Sequence, residues 1–195
     1  MKRLLAVVVV MLTITAVSSA QLAFRGIGGA IGFASVSWTG GTTSQSTSGF
    51  LIGAHADMGE ITKDIVFFPD IQYFSTSKSV TGGTIKASDF AINVNAHYNI
   101  AMEGMLKPYV GAGLGYNSLS TTATATTPAY STGFFTVPAQ TYSATATDSR
   151  IGINLLAGVN YKLNDMLTLV VEPRYVLASD FNHFIVKAGI TYAMK

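Results

Sequence analysis

The sequence contains no cysteine, which removes disulfides and thiolate metal sites together. Charge is scarce as well. Asp, Glu, Lys and Arg make up 11% of the chain, against about 25% in soluble globular domains, and this argues against an ordinary cytosolic enzyme. Long apolar runs are also missing. Although 49% of the residues are hydrophobic, no stretch offers the roughly 20 uninterrupted apolar residues of a membrane-spanning helix. The body of the chain has no surplus of positive charge, because the formal +2 is carried by Lys2 and Arg3. Nothing in that balance points to nucleic acid, and there is no phosphate loop or heptad repeat.

What is present is glycine (19 residues) together with Thr/Ser-rich tracts, both poor helix formers. Apolar content without an apolar run implies hydrophobicity spread in alternation over many strands. The N-terminus stands apart. Met1-Lys2-Arg3 is a positive segment, Leu4 to Val17 is apolar but for Thr13 and Thr15, and Ser18-Ser19-Ala20 supplies small residues before Gln21. This three-part pattern predicts a secretory signal peptide over residues 1–20, leaving one domain over residues 21–195.

From residue 24 onward the period is two, and eight alternating segments follow: 25–37, 49–58, 65–75, 88–100, 107–117, 149–162, 166–177 and 183–194. The fourth is the cleanest. Phe90, Ile92, Val94, Ala96, Tyr98 and Ile100 oppose Asn93, Asn95, His97 and Asn99. In the fifth, Val110, Ala112, Leu114 and Tyr116 oppose glycines and Asn117. A soluble barrel would coat its outside with charge. Here the polar faces carry Gly, Asn, His and a few ions, a poor solvent coat but a reasonable barrel interior. The fold class expected is all-β: an eight-stranded antiparallel up-and-down transmembrane β-barrel, apolar toward lipid and polar within.

Gap lengths orient it. Gly59–Asp64, Ala101–Leu106 and Leu163–Asp165 are short, as periplasmic turns are; Thr39–Ser48, Thr76–Ala87 and residues 118–148 are longer, as external loops are. Ala178–Asn182 is a short exception. The outward aromatics sort by strand end. Phe67, Tyr98, Tyr161 and Tyr192 fall at the periplasmic ends, and Phe50, Tyr73, Phe90, Tyr116 and Tyr175 at the external ends. Phe90 and Tyr98 are about 27 Å apart along a strand. With a tilt of ~40° this gives roughly 20 Å of height, close to the apolar band of such barrels.

These segments, above all Lys107-Pro-Tyr-Val-Gly-Ala-Gly-Leu-Gly-Tyr116, Ala157-Gly-Val-Asn-Tyr-Lys-Leu163, Leu167 to Tyr175 and Val186-Lys-Ala-Gly-Ile-Thr-Tyr192, resemble the small eight-stranded outer-membrane barrels, OmpA-like and OmpX-like. The resemblance covers residues 24–194. It implies a porin-family protein in the outer membrane of a Gram-negative-type cell, with outer-membrane lipid, lipopolysaccharide and the barrel-insertion machinery as partners. Family members commonly end on an aromatic residue read by that machinery. This chain ends Tyr192-Ala193-Met194-Lys195, a displaced signal. Pro69 and Pro173 lie inside strands, where each removes a ladder donor and predicts a bulge.

Inward parity falls on His55, Asp57, Asp70, His97, Lys107, Arg150, Glu172, Arg174 and Lys187. Eight strands leave an interior just wide enough for side chains, so the expectation is a salt-bridge network filling the lumen, with Glu172, Arg174 and Lys187 together. The glycine-lined first and fifth strands make room for long side chains from the others. Ser179-Asp180-Phe181-Asn182-His183 is the best local candidate for hydrolytic chemistry, but a triad is a geometry and not a spacing. His55-Ala-Asp57 offers two metal ligands without further partners. No catalytic residue, metal or cofactor is expected.

The segment Leu119 to Thr147 is the most distinctive. Read as low complexity it is disordered; read by β-propensity, its Thr/Ala alternation extends the fifth and sixth strands as a hairpin. The tip holds Tyr130, Phe134 and Phe135, candidate contacts for a surface protein or host ligand. The reading is thus a structural or surface-interaction barrel. Its alternatives are a narrow or hydrophobic-ligand conduit and a lipid-modifying enzyme.

Overall fold

The computed structural model describes residues 23–40, 43–179 and 181–194. The expected signal peptide lies outside them. Eight long strands follow one another: β1 (Gly26–Gly40), β2 (Thr43–Asp57), β3 (Ile65–Val80), β4 (Gly83–Asn99), β5 (Leu106–Thr127), β6 (Gln140–Lys162), β7 (Leu167–Ala178) and β8 (Phe181–Ala193). A three-residue strand, Glu60–Thr62, sits in the turn before β3. Each strand pairs antiparallel with its neighbours, and β1 pairs with β8, so the sheet closes into an eight-stranded barrel. Closure leaves no unpaired edge within the membrane, which a spanning sheet requires.

Alternation decides which side chains face lipid. Along β4, Phe90, Ile92, Val94 and Tyr98 are exposed on the outer surface, while Asn93, Asn95 and His97 are buried. The outer aromatics stand where the alternation puts them. Phe50, Tyr73, Phe90, Tyr116 and Tyr175 are exposed toward the external end, and Tyr98, Tyr161 and Tyr192 toward the other, with Phe67 partly exposed. Phe33 joins the external ring, 4.5 Å from Phe50 between ring centroids.

Two expectations change. The gaps after β1 and β3 are not loops. Pairing continues to Gly40↔Thr43 and Val80↔Gly83, because their Ser/Thr residues suit a solvated strand as well as a loop. The prolines make no bulge of the expected kind. At Pro173 the β6–β7 ladder is interrupted, yet the same register resumes at Arg174↔Leu156. Pro69 ends the β2–β3 ladder, whose last pair is His55↔Asp70.

Residues 118–148 are mostly strand. The β5–β6 ladder runs unbroken from Leu106↔Tyr161 to Thr127↔Gln140, and β4 accompanies β5 up to Gly83↔Ala125. At the β7–β8 turn, which closes at Ala178↔Phe181, the barrel is low. β6 leaves β7 above Gly152↔Ala178, and β2 leaves β3 above Phe50↔Ser75. The outer end is therefore a raised wall of β3 to β6 and a separate raised β1–β2 hairpin, with the short β7–β8 turn as its low point.

Candidate functional site: a filled lumen below a raised hairpin

The lumen is packed in layers. At mid-height Asp70 of β3, Glu172 and Arg174 of β7 and Lys187 of β8 come together, all buried. The Arg174 guanidinium grips Asp70 with both terminal nitrogens, at 3.2 and 2.6 Å. Its Nε donates to Glu172 Oε1 at 3.0 Å. Lys187 Nζ lies 3.1 Å from Glu172 and 3.7 Å from Asp70. Two cations thus meet two carboxylates, and the cluster is neutral, as a low-dielectric interior demands. Neutral donors complete it. Gln72, Asn93 and Asn95 donate to Asp70 at 2.5, 2.8 and 2.8 Å, and the Tyr109 hydroxyl donates to Glu172 at 2.8 Å. Asn154 in turn donates to the carboxamide oxygens of Asn93 and Asn95, both at 2.9 Å.

Toward the periplasmic end the rings of His55, Phe68, His97 and Tyr109 stack in a row, with centroid spacings of 4.9, 4.5 and 4.5 Å. His55 Nε2 also shares a hydrogen bond with Thr191 at 2.8 Å. Glycine makes the row possible. A Cβ at Gly158 would stand 2.5 Å from the Tyr109 hydroxyl oxygen and 2.7 Å from the Val171 carbonyl. Toward the external end an apolar layer of Val36, Leu51, Phe74, Val176, Phe181 and Ile185 closes the lumen. Above it opens a cavity of about 650 Å³ whose floor includes Val36, Phe74, Leu119 and Phe181.

Of the expected interior residues, His55, Asp70, His97, Glu172, Arg174 and Lys187 are brought together. Asp57, Lys107 and Arg150 are not. They have inward parity, but Asp57 and Lys107 stand at strand ends and Arg150 lines the open cavity at mid-β6, so each stands where the lumen meets water. Asp57 accepts from the Gly59 amide in a turn, Lys107 is exposed, and Arg150 pairs with Asp148 at the external mouth. The Ser179–His183 cluster also dissolves. His183 belongs to β8 and is buried, 3.7 Å from Asp89 and packed edge-on to Phe181, while Asp180 lies outside the described residues. Gln72 and Asn154 lie on the polar face that alternation assigns to the interior, whereas Asp89 and Tyr109 are interior groups the sequence reading misses. Parity alone would have found Tyr109, since it precedes the outward Val110.

The hairpin ends in a small second ladder, Tyr130↔Val137 and Ser131↔Thr136. Gly133 takes a positive φ of 84° at its turn, and the Thr132 amide donates to the Phe135 carbonyl at 3.1 Å. Phe134 is 99% exposed, with Tyr130 and Phe135 also exposed beside it.

A family model described as the outer membrane protein beta-barrel domain matches residues 4–193. The chain belongs to that family. It is a barrel of the outer membrane. Among solved structures it is similar to Neisserial surface protein A, with a TM-score of 0.58 and 19% identity over 86% of this chain and 97% of that one. It is also similar to OprG of Pseudomonas aeruginosa (TM-score 0.51, 12% identity, 90% and 99% covered). Ail, the attachment invasion locus protein of Yersinia pestis, gives a TM-score of 0.50 and 12% identity, with 88% and 100% covered. At these identities the likeness is one of fold. In sequence, 88 residues are 38% identical to a Haemophilus influenzae protein described as uncharacterized. That match spans 45% of this chain and 43% of the relative, less than half its length.

Proposed function

We propose that this outer-membrane barrel is a surface-interaction protein whose contact element is the β5–β6 hairpin, with the lumen serving as a rigid, filled support and not as a conduit or a catalytic centre. The carrying observation is the tip: three aromatic side chains, one of them wholly solvent-exposed, presented on a paired ladder far above the outer aromatic ring. From Tyr116 to Thr127 the strand climbs about 37 Å of contour. Apolar side chains so placed favour association with a partner, and rigid aromatics give contact area at low entropic cost. Lipopolysaccharide surrounds the base of the hairpin in this reading, and a protein or glycan of another surface meets its tip. Neisserial surface protein A and the attachment invasion locus protein have names consistent with such a role.

The test uses proteoliposomes carrying the full chain, applied to an array of extracellular-matrix proteins and glycans. Replacing residues 123–145 by an Asn-Gly turn should abolish array binding while heat-modifiable gel mobility and β-rich circular dichroism persist, since loop length contributes little to closure. Failure of the shortened chain to insert, or full retention of binding, would overturn the proposal.

A further inference from the structure

Above the outer aromatic ring the polarity of the barrel reverses. In the membrane-spanning part, apolar side chains face out and polar ones face in. On the raised part of β3 the outward positions are Ser75, Ser77 and Ser79, whereas the inward positions are Phe74, Thr76, Lys78 and Val80, apolar at both ends. On β4 the outward positions are Thr84, Lys86 and Ser88, and the inward ones are Ile85 and Ala87. On β5, Ser118 and Ser120 face out and Leu119 faces in. This is the pattern of a soluble barrel that holds a small ligand, set on top of a transmembrane one.

The inner apolar side chains are not covered by one another. Val80 and Ile85 are 43% and 41% exposed, and they line the same 650 Å³ cavity as the buried Phe74 and the half-buried Leu119 of its floor. That volume is in the range of small-molecule sites. Phe74 and Val80 stand about 20 Å apart along the strand; Thr76 and Lys78 lie between them, and their β4 partners Ala87 and Ile85 carry the apolar surface across, a length that suits an extended chain better than a compact ring. Among the described residues, the charged ones lining the cavity are Lys78, Arg150 and Asp148, two cations and one carboxylate. The wall is lowest at the β7–β8 turn, where Ser179 lines the cavity just beyond the outward girdle residue Tyr175. A chain could enter there from the outer leaflet.

We infer that this vestibule binds one alkyl chain bearing an anionic headgroup, the chain lying on Phe74, Leu119, Ile85 and Val80 and the headgroup meeting Lys78 and Arg150. The source is either a single-chain lipid of the outer leaflet or a free fatty acid. The inference is independent of the hairpin tip, and its test leaves the tip intact.

The full chain is reconstituted in phosphatidylcholine nanodiscs and titrated with dansyl-undecanoic acid, with palmitate and hexadecanol as competitors. Saturable fluorescence above that of empty discs is expected. Ile85→Glu, at a half-exposed position, puts a carboxylate against the chain and should weaken binding about tenfold. Thr121→Trp, which fills the space without charge, should do the same. Removing Lys78 and Arg150 together (Lys78→Ala, Arg150→Ala) should weaken competition by palmitate several-fold and leave hexadecanol unaffected. Glu103→Gln, on an exposed turn at the other end, should change nothing. Probe uptake no greater than in empty discs would overturn the inference. So would undiminished binding by both Ile85→Glu and Thr121→Trp, or equal sensitivity of the acid and the alcohol to loss of the cations. Lipid extracted from wild-type protein purified from outer membranes, but not from Ile85→Glu protein, supports the site. Its identity as lysophospholipid or free acid names the source. Equal recovery from both counts against the site.

Discussion

Glu172 is the residue whose removal tests the lumen most directly. It is fully buried and receives Arg174 Nε, Lys187 Nζ and the Tyr109 hydroxyl. In Glu172→Ala, Asp70 is left as the single carboxylate facing Arg174 and Lys187, so one positive charge stays buried without a counter-charge, and Tyr109 loses its acceptor. Breaking a buried pair in this way costs about 3–5 kcal/mol. With a urea dependence of about 2 kcal/mol per molar, the unfolding midpoint should fall by roughly 2 M, read from heat-modifiable mobility of protein in lipid vesicles. The decisive experiment restores neutrality. Glu172→Gln combined with Lys187→Met leaves Asp70 and Arg174 as a balanced pair, so the double variant should be more stable than the sum of the single losses by about 1–3 kcal/mol. An unchanged midpoint in Glu172→Ala, or strictly additive losses in the double variant, would refute the argument.

Tyr109→Phe should cost about 1.5–3 kcal/mol, the value of a hydrogen bond to a charged group; Gly158→Ala should destabilise as well, because its Cβ presses on both the Tyr109 hydroxyl and the Val171 carbonyl. Both are read by urea unfolding, and together they should cost less than their sum. Phe74→Ala should lose about 3–5 kcal/mol through the cavity it leaves in the apolar layer, a loss read from the same unfolding curves. In planar bilayers the wild-type chain should show no discrete conductance steps, and steps that survive removal of residues 123–145 would show that the lumen is open.

Much of the fold was legible because a barrel wall obeys one rule, repeated. Period two sorts Phe90, Ile92 and Val94 from Asn93, Asn95 and His97, and a sequence this low in charge allows only the inside-out version of that sorting. The hairpin was legible for the same reason, Thr/Ala alternation being as good a strand in water as Val/Gly alternation is in lipid. Strand ends were not. Ser44 to Ser48 and Thr76 to Ser79 have loop composition, and only the pairing of each segment with its neighbour shows that they continue β2 and β3. The polarity reversal above the girdle was present in the same letters. It was hidden because Val80, Ile85 and Leu119 fall in stretches whose composition reads as loop.

The site was less legible, for a geometric reason. Alternation assigns a side chain to a face but gives neither its height nor its position around the barrel. Glu172 and Arg174, two residues apart on β7, and Lys187, directly opposite Glu172 on β8, are local enough to be grouped from sequence. Asp70 is 104 residues from Arg174 and on a strand across the lumen, so the charge that balances the cluster could not be placed. The same limit explains Asp57, Lys107 and Arg150. Their parity is inward, but each stands at a height where the lumen meets water, and there a charge needs no buried partner. Neutrality itself supplies the missing constraint. A buried group of Glu172, Arg174 and Lys187 has one cation too many, and a carboxylate must reach it from another strand. Of the inward acids foreseen, Asp57 stands at a strand end and Asp70 near mid-strand. Charge balance and strand position together select Asp70, and so does the structure.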